Sequence, residues 1–294
     1  MKLKVDWSIK SNDSHSAIEL SLKRFDRYLR DQGLRESSIV DYVARTARYL
    51  KWAQTDRPTI DQLNQYREIL HDRNLSRSSM NNYSFSFKRY YKMLGESIEL
   101  PFMNRNENLP YFFDEEDILK IFSVCNNMKH KTMLTVLFYA SLRSTELCNL
   151  DDKDIDLKAL TIRIREGKGG RDGIAFISEE CSDAIKRYLE VRPPLTLEDG
   201  SHPLFYTDYS NRWKYRKLHQ MFIYYKEKAG VTKSGAVHVF SRHSPASIMI
   251  SQGCDIRIVQ TLLRHKDIRT TVRYCHIADE TARQWHDKTL KLQF

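Results

Sequence analysis

Glycine and proline are scarce in this chain, which has ten glycines and seven prolines among 294 residues. So few helix-breaking residues, together with 41% apolar residues, indicate an ordered, helix-rich globular protein rather than a disordered or fibrous one. No run of about 18 apolar residues occurs, and the N-terminal stretch lacks the apolar core of a signal peptide. The sequence therefore predicts a cytoplasmic protein with no membrane partner.

Cysteine is also uncommon and shows no metal-binding or disulfide pattern. The five cysteines are odd in number, widely scattered and without a CxxC pair, which favours reduced structural thiols. A zinc site built from histidines is disfavoured as well, because no pair of them has a metal-like context. The histidines considered are His238, His243, His265 and His276. We expect neither a metal nor another cofactor.

Positive charge is present in excess and is unevenly distributed. The net charge of +10 favours polyanionic partners, either nucleic acid or an acidic membrane surface. Residues 1–106 hold 19 Lys and Arg against 13 Asp and Glu, so the smaller part of the chain carries the larger share of the net positive charge. Residues 99–113 contain two prolines and three asparagines without a helical period, which is typical of a linker. We therefore predict domains over 1–105 and 106–294, with the linker reaching about residue 112.

The first domain is predicted to contain four helices, over residues 17–32, 37 or 38 to 52, 60–72 and about 80–94. The last has an apolar stripe with alternating spacings of three and four, formed by Met80, Tyr83, Phe87, Tyr90 and Leu94. Its opposite side presents Asn81, Ser84, Lys88 and Lys92. On the second helix, Arg45, Arg48 and Lys51 share one broad face. Each of these basic faces is commonly only a solvated surface, but the charge surplus favours DNA contact by Lys88 as well as by the three cations of the second helix.

The second domain is predicted to be mainly helical with one small antiparallel hairpin. Residues 161–165 and 174–177 alternate as strands, joined by a glycine-rich loop with Lys168 near its tip. Asp114 and Ser178 are expected N-caps, and Gly230 is expected to end a helix over 213–229. Further helices are predicted over 244–252 and 256–264. The segment 281–294 is amphipathic and basic.

Several residues of this domain suit phosphodiester transfer by a protein nucleophile. That chemistry needs an attacking oxygen, donors for the non-bridging oxygens and a proton source for the departing alkoxide. Arginine suits the second task because its planar fork binds two phosphate oxygens and stays charged. Two arginines, a lysine, histidines and a tyrosine would suffice without a metal.

Four segments, in this order, resemble the tyrosine recombinases, which include lambda-type integrases and Xer chromosome-dimer resolvases. Tyr139-Ala-Ser-Leu-Arg143-Ser-Thr-Glu146-Leu is similar to the usual Tyr-x-Thr-Gly-Leu-Arg-x-x-Glu-Leu, and the Lys168 hairpin to that bearing the family lysine. Arg242-His243-Ser244 is similar to His-x-x-Arg-His. Leu263-Arg264-His265, followed by Tyr274, is similar to the Leu-Gly-His box and nucleophile. Residues 14–95 also resemble the helical, SAM-like core-binding domain of Xer-type proteins.

The resemblance implies a mainly α, two-domain clamp around duplex DNA and a mechanism with a 3′-phosphotyrosine intermediate. Tyr274 would attack the phosphate, and Arg143, Arg242 and His265 would bind its oxygens. Lys168 would protonate the leaving 5′-oxygen, and His238 would accept the tyrosine proton. The enzyme would be a monomer or dimer when free and a homotetramer on a specific DNA site, where it forms a Holliday junction. The tail 281–294 would dock on a neighbouring protomer.

The sequence departs from the family pattern in two places. Ser141 stands where glycine is usual, so the turn that aims Arg143 is expected to be stiffer or differently shaped. His238 lies four residues before Arg242 instead of three. Either a one-residue shift lets His238 reach the phosphate, or the role is absent or filled by His243.

Other points stay open at the level of sequence. Lys153 and Arg171 rival Lys168 as the general acid, and Glu146 is expected to orient an arginine or histidine. A catalytically inactive DNA-binding relative and a type IB topoisomerase-like enzyme are the alternative functions. Within the family, chromosome-dimer resolution, plasmid maintenance and mobile-element integration are all compatible with the sequence, which leans toward the simpler Xer-like type.

Overall fold

The computed structural model describes residues 13–104, 111–165 and 172–275, together with residue 286. The chain divides into two compact units, Met1–Glu107 and Asn108–Phe294. Lys168, Arg171 and the predicted tail, apart from residue 286, lie outside the described residues. None of the helices in the described ranges is long and apolar enough to span a membrane.

The described part of the first unit consists of four helices, whose ends follow from local chemistry. They are α1 (Asp13–Asp31), α2 (Glu36–Ala53), α3 (Ile60–Asp72) and α4 (Arg77–Met93). Thr59 and Gln62 form a reciprocal capping box at the start of α3, and the Ser76 hydroxyl accepts the N–H of Ser79 at the start of α4. Gly33 follows α1 with a φ of +69°, which glycine adopts without steric cost.

Aromatic side chains fill the core of the first unit. Tyr49 and Phe87 are fully buried, with ring centroids 4.8 Å apart. The hydroxyls of Tyr49 and Tyr91 lie 2.8 Å apart, and Tyr91 donates to the carbonyl of Pro58. These hydrogen bonds provide partners for phenol hydroxyls, whose burial without a partner would destabilise the fold.

The start of α2 differs from the sequence prediction. The helix begins at Glu36 rather than at Ser37 or Ser38, and its N-cap residue, Arg35, makes no side-chain capping bond. Glu36 supplies negative charge to the first turn, where it stabilises the helix dipole, and it pairs with Arg30 at 2.6 Å. An acidic first turn therefore replaces the expected serine cap.

The outer side of α4 was also predicted wrongly, since Asn81 and Ser84 are buried instead of exposed. The Asn81 amide donates to the carbonyl of Met103 and accepts its N–H, at 2.8 and 2.9 Å. Lys88 lies on the same helix with its Nζ 4.8 Å from the centre of the Phe102 ring. The chain after α4 thus packs against the polar face of this helix. The polar residues of that face would by themselves predict exposure to solvent.

The second unit is mainly helical in its described part. Its helices are α5 (Glu115–Ser123), α6 (Met128–Tyr139), α7 (Ser144–Cys148), α8 (Glu179–Val191), α9 (Tyr215–Lys228), α10 (Ser244–Ser251), α11 (Ile256–Leu262) and α12 (Arg269–Val272). Asp114 and Ser178 cap α5 and α8 through their side chains, which confirms both predictions. Gly230 follows α9 with a φ of +69°.

A three-stranded antiparallel sheet accompanies these helices, in the order β1 (Ile155–Asp156), β2 (Thr161–Ile164) and β3 (Gly173–Phe176). The β2–β3 hairpin was predicted, and Ile162 pairs with Ala175 across it. β1 was missed because two residues are too few to show an alternating pattern. Residues 166–171 of the loop that joins β2 to β3, which include Lys168, lie outside the described residues.

The second unit has a large apolar core and a smaller satellite cluster. The large core joins α5, α6, α8 and α9 to the inner face of the sheet. The satellite cluster lies among α10, α11 and the segment after α12, and its buried members are Ala246, Ile250, Val259, Leu263 and Tyr274. The predicted nucleophile is therefore packed into a small core of its own.

Candidate active site

Arg143 is presented by a tight turn between α6 and α7. The N–H of Ser141 donates to Phe138 and that of Leu142 donates to Leu137, which together form a Schellman motif after α6. Ser141 keeps the left-handed conformation that this motif requires, with a φ of +47°. Arg143 then serves as the N-cap residue of α7. Ser141 therefore adopts the left-handed conformation that glycine would take at this turn.

Glu146 holds Arg143 at the start of α7. One carboxylate oxygen accepts from Arg143 Nη1 at 2.6 Å, and the other accepts from the Arg143 backbone N–H at 2.8 Å. Burial alone would raise the pKa of Glu146, but Arg264 and Arg143 together hold it below its usual value. An ionised, buried carboxylate thus orients an arginine, as the sequence led us to expect.

Arg242 connects two loops of the site. Its guanidinium donates to the carbonyl of Ser141 at 2.7 Å and to the carbonyl of Leu263. The first acceptor lies two residues before Arg143, and the second lies two residues before His265. Arg242 is itself 7% exposed. One buried side chain therefore ties together the segments that carry two of the other predicted site residues.

The segment before Arg242 forms a π turn over Val239–His243, in which the N–H of Ser244 donates to the carbonyl of Val239. Such a turn holds about one residue more than an α-helical turn. The interval between His238 and Arg242, which is one residue longer than the usual one, falls largely within this wider turn. His238 is exposed, and its ring lies edge-on to that of His243 with centroids 5.3 Å apart.

His243 lies between His238 and Tyr274. Its ring centroid is 5.6 Å from that of Tyr274, and its Nδ1 is 3.3 Å from the carbonyl oxygen of Tyr111. Because a carbonyl can only accept, Nδ1 must carry the proton, which leaves Nε2 with its lone pair. Burial, with a smaller effect of His238, lowers the pKa of His243 to about 4. This ring is therefore neutral at neutral pH.

His265 follows the loop after α11 and contacts Thr271 of α12. Its Nδ1 is 2.9 Å from the Thr271 hydroxyl, which belongs to a fully buried residue. Burial and the positive charges of Arg242, Arg143 and Arg264 lower the pKa of His265 to about 3. The imidazole is therefore neutral at pH 7.

Tyr274 is 4% exposed, and its N–H donates to the carbonyl of Thr271. Burial raises the pKa of its phenol group, while Arg242 and Arg273 act in the opposite direction. The hydroxyl is protonated at neutral pH, so its use as a nucleophile requires a proton acceptor.

Arg264 is a site residue that the sequence pattern did not single out. Its guanidinium is 3.0 Å from Glu146 and also donates to the carbonyl of Ser141 at 3.2 Å. Burial lowers the pKa of Arg242 to about 9, with smaller contributions from repulsion by Arg143 and Arg264. A bound anion would offset that repulsion. The cluster has the electrostatics of a phosphate site.

Of the predicted catalytic residues, Arg143, Arg242, His265 and Tyr274 are brought into one cluster, and His238 lies at its edge. Lys168 and Arg171 are outside the described residues, whereas Lys153 is exposed in the short helical turn Asp152–Asp154 before β1. On the strands beside the loop, Arg163 pairs with Asp172 at 2.8 Å. The identity of the general acid therefore stays a prediction from sequence.

The predicted DNA-binding residues differ in their surroundings. Arg45 is paired with Asp41 at 3.2 Å and its side chain is 20% exposed. Arg48 is exposed and donates to the Tyr83 hydroxyl, and Lys51 is exposed one turn further along α2. The exposed positive charge of this face therefore comes mainly from Arg48 and Lys51.

Comparison with known proteins identifies the class to which this fold and site belong. Residues 111–281 match the phage integrase family, and that match covers more than half of the chain. The chain therefore belongs to the phage integrase family. Within that family it is an Xer-like tyrosine recombinase, a site-specific DNA recombinase.

Three individual proteins illustrate the similarity. Tyrosine recombinase XerA of Pyrococcus horikoshii is 29% identical over 270 residues, which cover 91% of this chain and 92% of that protein. Tyrosine recombinase XerA of Thermococcus kodakarensis is 30% identical over 279 residues, covering 91% and 94%. The XerH recombinase bound to a palindromic difH substrate in a post-cleavage complex has a TM-score of 0.69 at 16% identity, covering 92% and 96%. This last likeness concerns the fold.

Proposed function

We propose that Tyr274 cuts and rejoins duplex DNA through a 3′-phosphotyrosine intermediate. The observation that carries the proposal is the pair of bonds from Arg242 to the carbonyls of Ser141 and Leu263. Through them, the loops bearing Arg143 and His265 are held in one cluster. The phosphotyrosine ester conserves the energy of the broken bond, so rejoining by a 5′-hydroxyl needs no ATP.

In this mechanism the arginines stabilise the charge that develops on the phosphate. Arg143 and Arg242 bind its non-bridging oxygens, where fixed cations stabilise the transition state more than the ground state. His265 donates a further hydrogen bond through Nε2, because its Nδ1 is directed to Thr271. The neutral state of His265 is compatible with this role, since a neutral imidazole still has one N–H donor.

The tyrosine proton is proposed to pass to His243. The ring contact with Tyr274 and the protonated Nδ1 support this role, because the imidazole lies next to the tyrosine ring and its Nε2 keeps a lone pair that can accept a proton. His238 was predicted for this task and contacts His243 instead of lying directly against the tyrosine ring. Separate His238→Ala and His243→Ala variants decide between them, since the larger loss of cleavage rate marks the acceptor.

DNA is the partner of the chain, and the proposed assembly on it is a homotetramer that exchanges strands through a Holliday junction. The cell's nucleoid is the proposed place of action. We assign the tail, residues 281–294, to contacts between protomers. A chain ending near Ala282 should cleave single sites yet fail to exchange strands, and full recombination by that chain would contradict the assignment.

The test begins with the DNA itself, because its sequence is not given by the site. Protein–DNA adducts are captured in the host and sequenced, and the recovered site is synthesised with a nick that traps the covalent intermediate. An adduct excludes the inactive relative. Dependence of recombination on a pair of sites excludes simple relaxation by a topoisomerase-like enzyme.

A further inference from the structure

Arg264 occupies a backbone position that arginine rarely takes. Its N–H donates to Thr261 and that of His265 donates to Gln260, which closes a Schellman motif after α11. In that motif the residue after the C-cap must adopt the left-handed backbone conformation. Arg264 follows the C-cap residue Leu263 and has a φ of +53°. Glycine suits this conformation best, since a side chain there is strained. The contacts of the guanidinium indicate what offsets that strain.

Three of the acceptors of this guanidinium belong to the chain around Arg143, and a fourth, the carbonyl of Leu262 at 3.2 Å from Nη1, belongs to α11 itself. The side chain of Arg264 is 14% exposed, and its Nη2 is 3.0 Å from a carboxylate oxygen of Glu146. The same nitrogen donates to the carbonyl of Ser141 at 3.2 Å, and Nη1 is 3.4 Å from that of Ala140. Arg264 therefore links the end of α6 to the start of α7.

Two of these acceptors are shared with the proposed phosphate-binding arginines. Glu146 also accepts from Arg143, and the Ser141 carbonyl also accepts from Arg242 at 2.7 Å. A change in Arg264 would move the carboxylate and the carbonyl together. Both Arg143 and Arg242 would then lose the partner that sets their direction.

We propose that Arg264 is a positioning residue for strand cleavage, which acts by holding Glu146 and the Ser141 carbonyl in the arrangement that aims Arg143 and Arg242 at the phosphate. The inference rests on the proposed function of the site. Arg264 acts through the other arginines and is not assigned a contact with DNA.

The test uses Arg264→Gly, because glycine removes the side chain while relieving the left-handed backbone. Single-turnover cleavage of the nicked site should slow by about 10- to 100-fold, since displaced catalytic groups cost up to about 100-fold. The dissociation constant for DNA should stay within about 2-fold, because uniform binding is not removed. Arg264→Lys keeps the charge beside Glu146 and should recover part of the rate. Arg257→Ala, which removes an exposed arginine of α11, is the matched control and should cleave normally.

A double-mutant cycle with Glu146→Gln tests whether Arg264 acts through Glu146. If Arg264 acts through Glu146, adding Arg264→Gly to Glu146→Gln should slow cleavage far less than it slows the wild-type chain. Fully additive losses, a wild-type rate for Arg264→Gly, or a loss confined to DNA affinity would each overturn the inference. A thermal melt confirms that each variant is folded. If Arg264→Gly does not fold, the same measurements are made with Arg264→Lys. A wild-type chain that forms no adduct would instead refute the proposed function, and the inference with it.

Discussion

The Nδ1 atom of His265 and the hydroxyl oxygen of Thr271 are 2.9 Å apart. Thr271 is fully buried in α12, three residues before Tyr274. The contact fixes the orientation of the imidazole and directs Nε2 away from α12. It also couples the loop of His265 to the helix that precedes the nucleophile.

Thr271→Val should therefore lower the cleavage rate without preventing DNA binding. Valine keeps the shape of threonine but removes the hydroxyl, so His265 loses its orienting partner. We expect a loss of about 10-fold, smaller than that of His265→Ala, since an orienting group typically contributes less than the group it orients. Single-turnover cleavage of the nicked site measures it. Thr270→Val changes an exposed neighbour and serves as the control; equal rates for the two variants would refute the coupling.

The two neutral histidines predict how stability depends on pH. Burial and nearby charges hold the pKa of His265 at about 3 and that of His243 at about 4, both below the ordinary 6.5. The unfolded chain therefore takes up protons that the folded chain does not as the pH falls below 6.5. The free energy of unfolding should be highest above that pH and fall progressively toward pH 4.

Urea unfolding at pH 7 and pH 5 measures this dependence. His265→Gln should lose less stability between the two pH values than the wild-type chain does, because one of the responsible groups is gone. His202→Gln, at an exposed histidine of the same unit, should lose as much as the wild-type chain. An unchanged loss in His265→Gln would show that this imidazole is not held neutral by the fold.

Lys168 is predicted to protonate the leaving 5′-oxygen. Lys168→Ala should slow cleavage of an ordinary substrate, but not of one in which sulfur replaces the bridging oxygen, because a thiolate leaves without protonation. Arg143→Ala should remain slow on both substrates, since it acts on the non-bridging oxygens. Equal slowing of Lys168→Ala on both substrates, or sulfur rescue of Lys153→Ala or Arg171→Ala alone, would assign the acid elsewhere.

The basic face of α2 is predicted to bind phosphates through Arg48 and Lys51. Reversing both to Glu should weaken DNA binding and make the slope of log affinity against log salt shallower by about 1 for each lost contact. Arg45→Glu should have a smaller effect because Arg45 is already paired with Asp41. A titration at several salt concentrations measures this, with Lys186→Glu on α8 as the control. Wild-type affinity in the double variant would show that this face only meets solvent.

Local sequence signals predicted those parts of the fold that depend on neighbouring residues. The caps Asp114 and Ser178 and the β2–β3 hairpin follow from side chains within a few positions. The burial of Asn81 could not be predicted, because its partner, Met103, lies 22 residues away. β1 is too short to show a period.

The same limit applies to the site. The arginines, His265 and Tyr274 were identified from the resemblance of their segments to the tyrosine recombinases, whereas the π turn at Val239–His243 has no signal in the sequence. Arg264 stands where the Leu-Gly-His pattern of the fourth segment has glycine. Its role depends on a carboxylate 118 residues away, Glu146, which no local pattern reveals.

The most direct measurement of the central claim is the mass of the tryptic peptide that carries DNA after reaction with the nicked site. We predict a phosphotyrosyl adduct on Tyr274. We also expect Tyr274→Phe to bind DNA with wild-type affinity and to form no adduct, since the phenyl ring keeps its place in the apolar cluster. Tyr139→Phe, beside the Arg143 turn, should form the adduct normally. An adduct on any other tyrosine, or one that persists in Tyr274→Phe, would contradict the account.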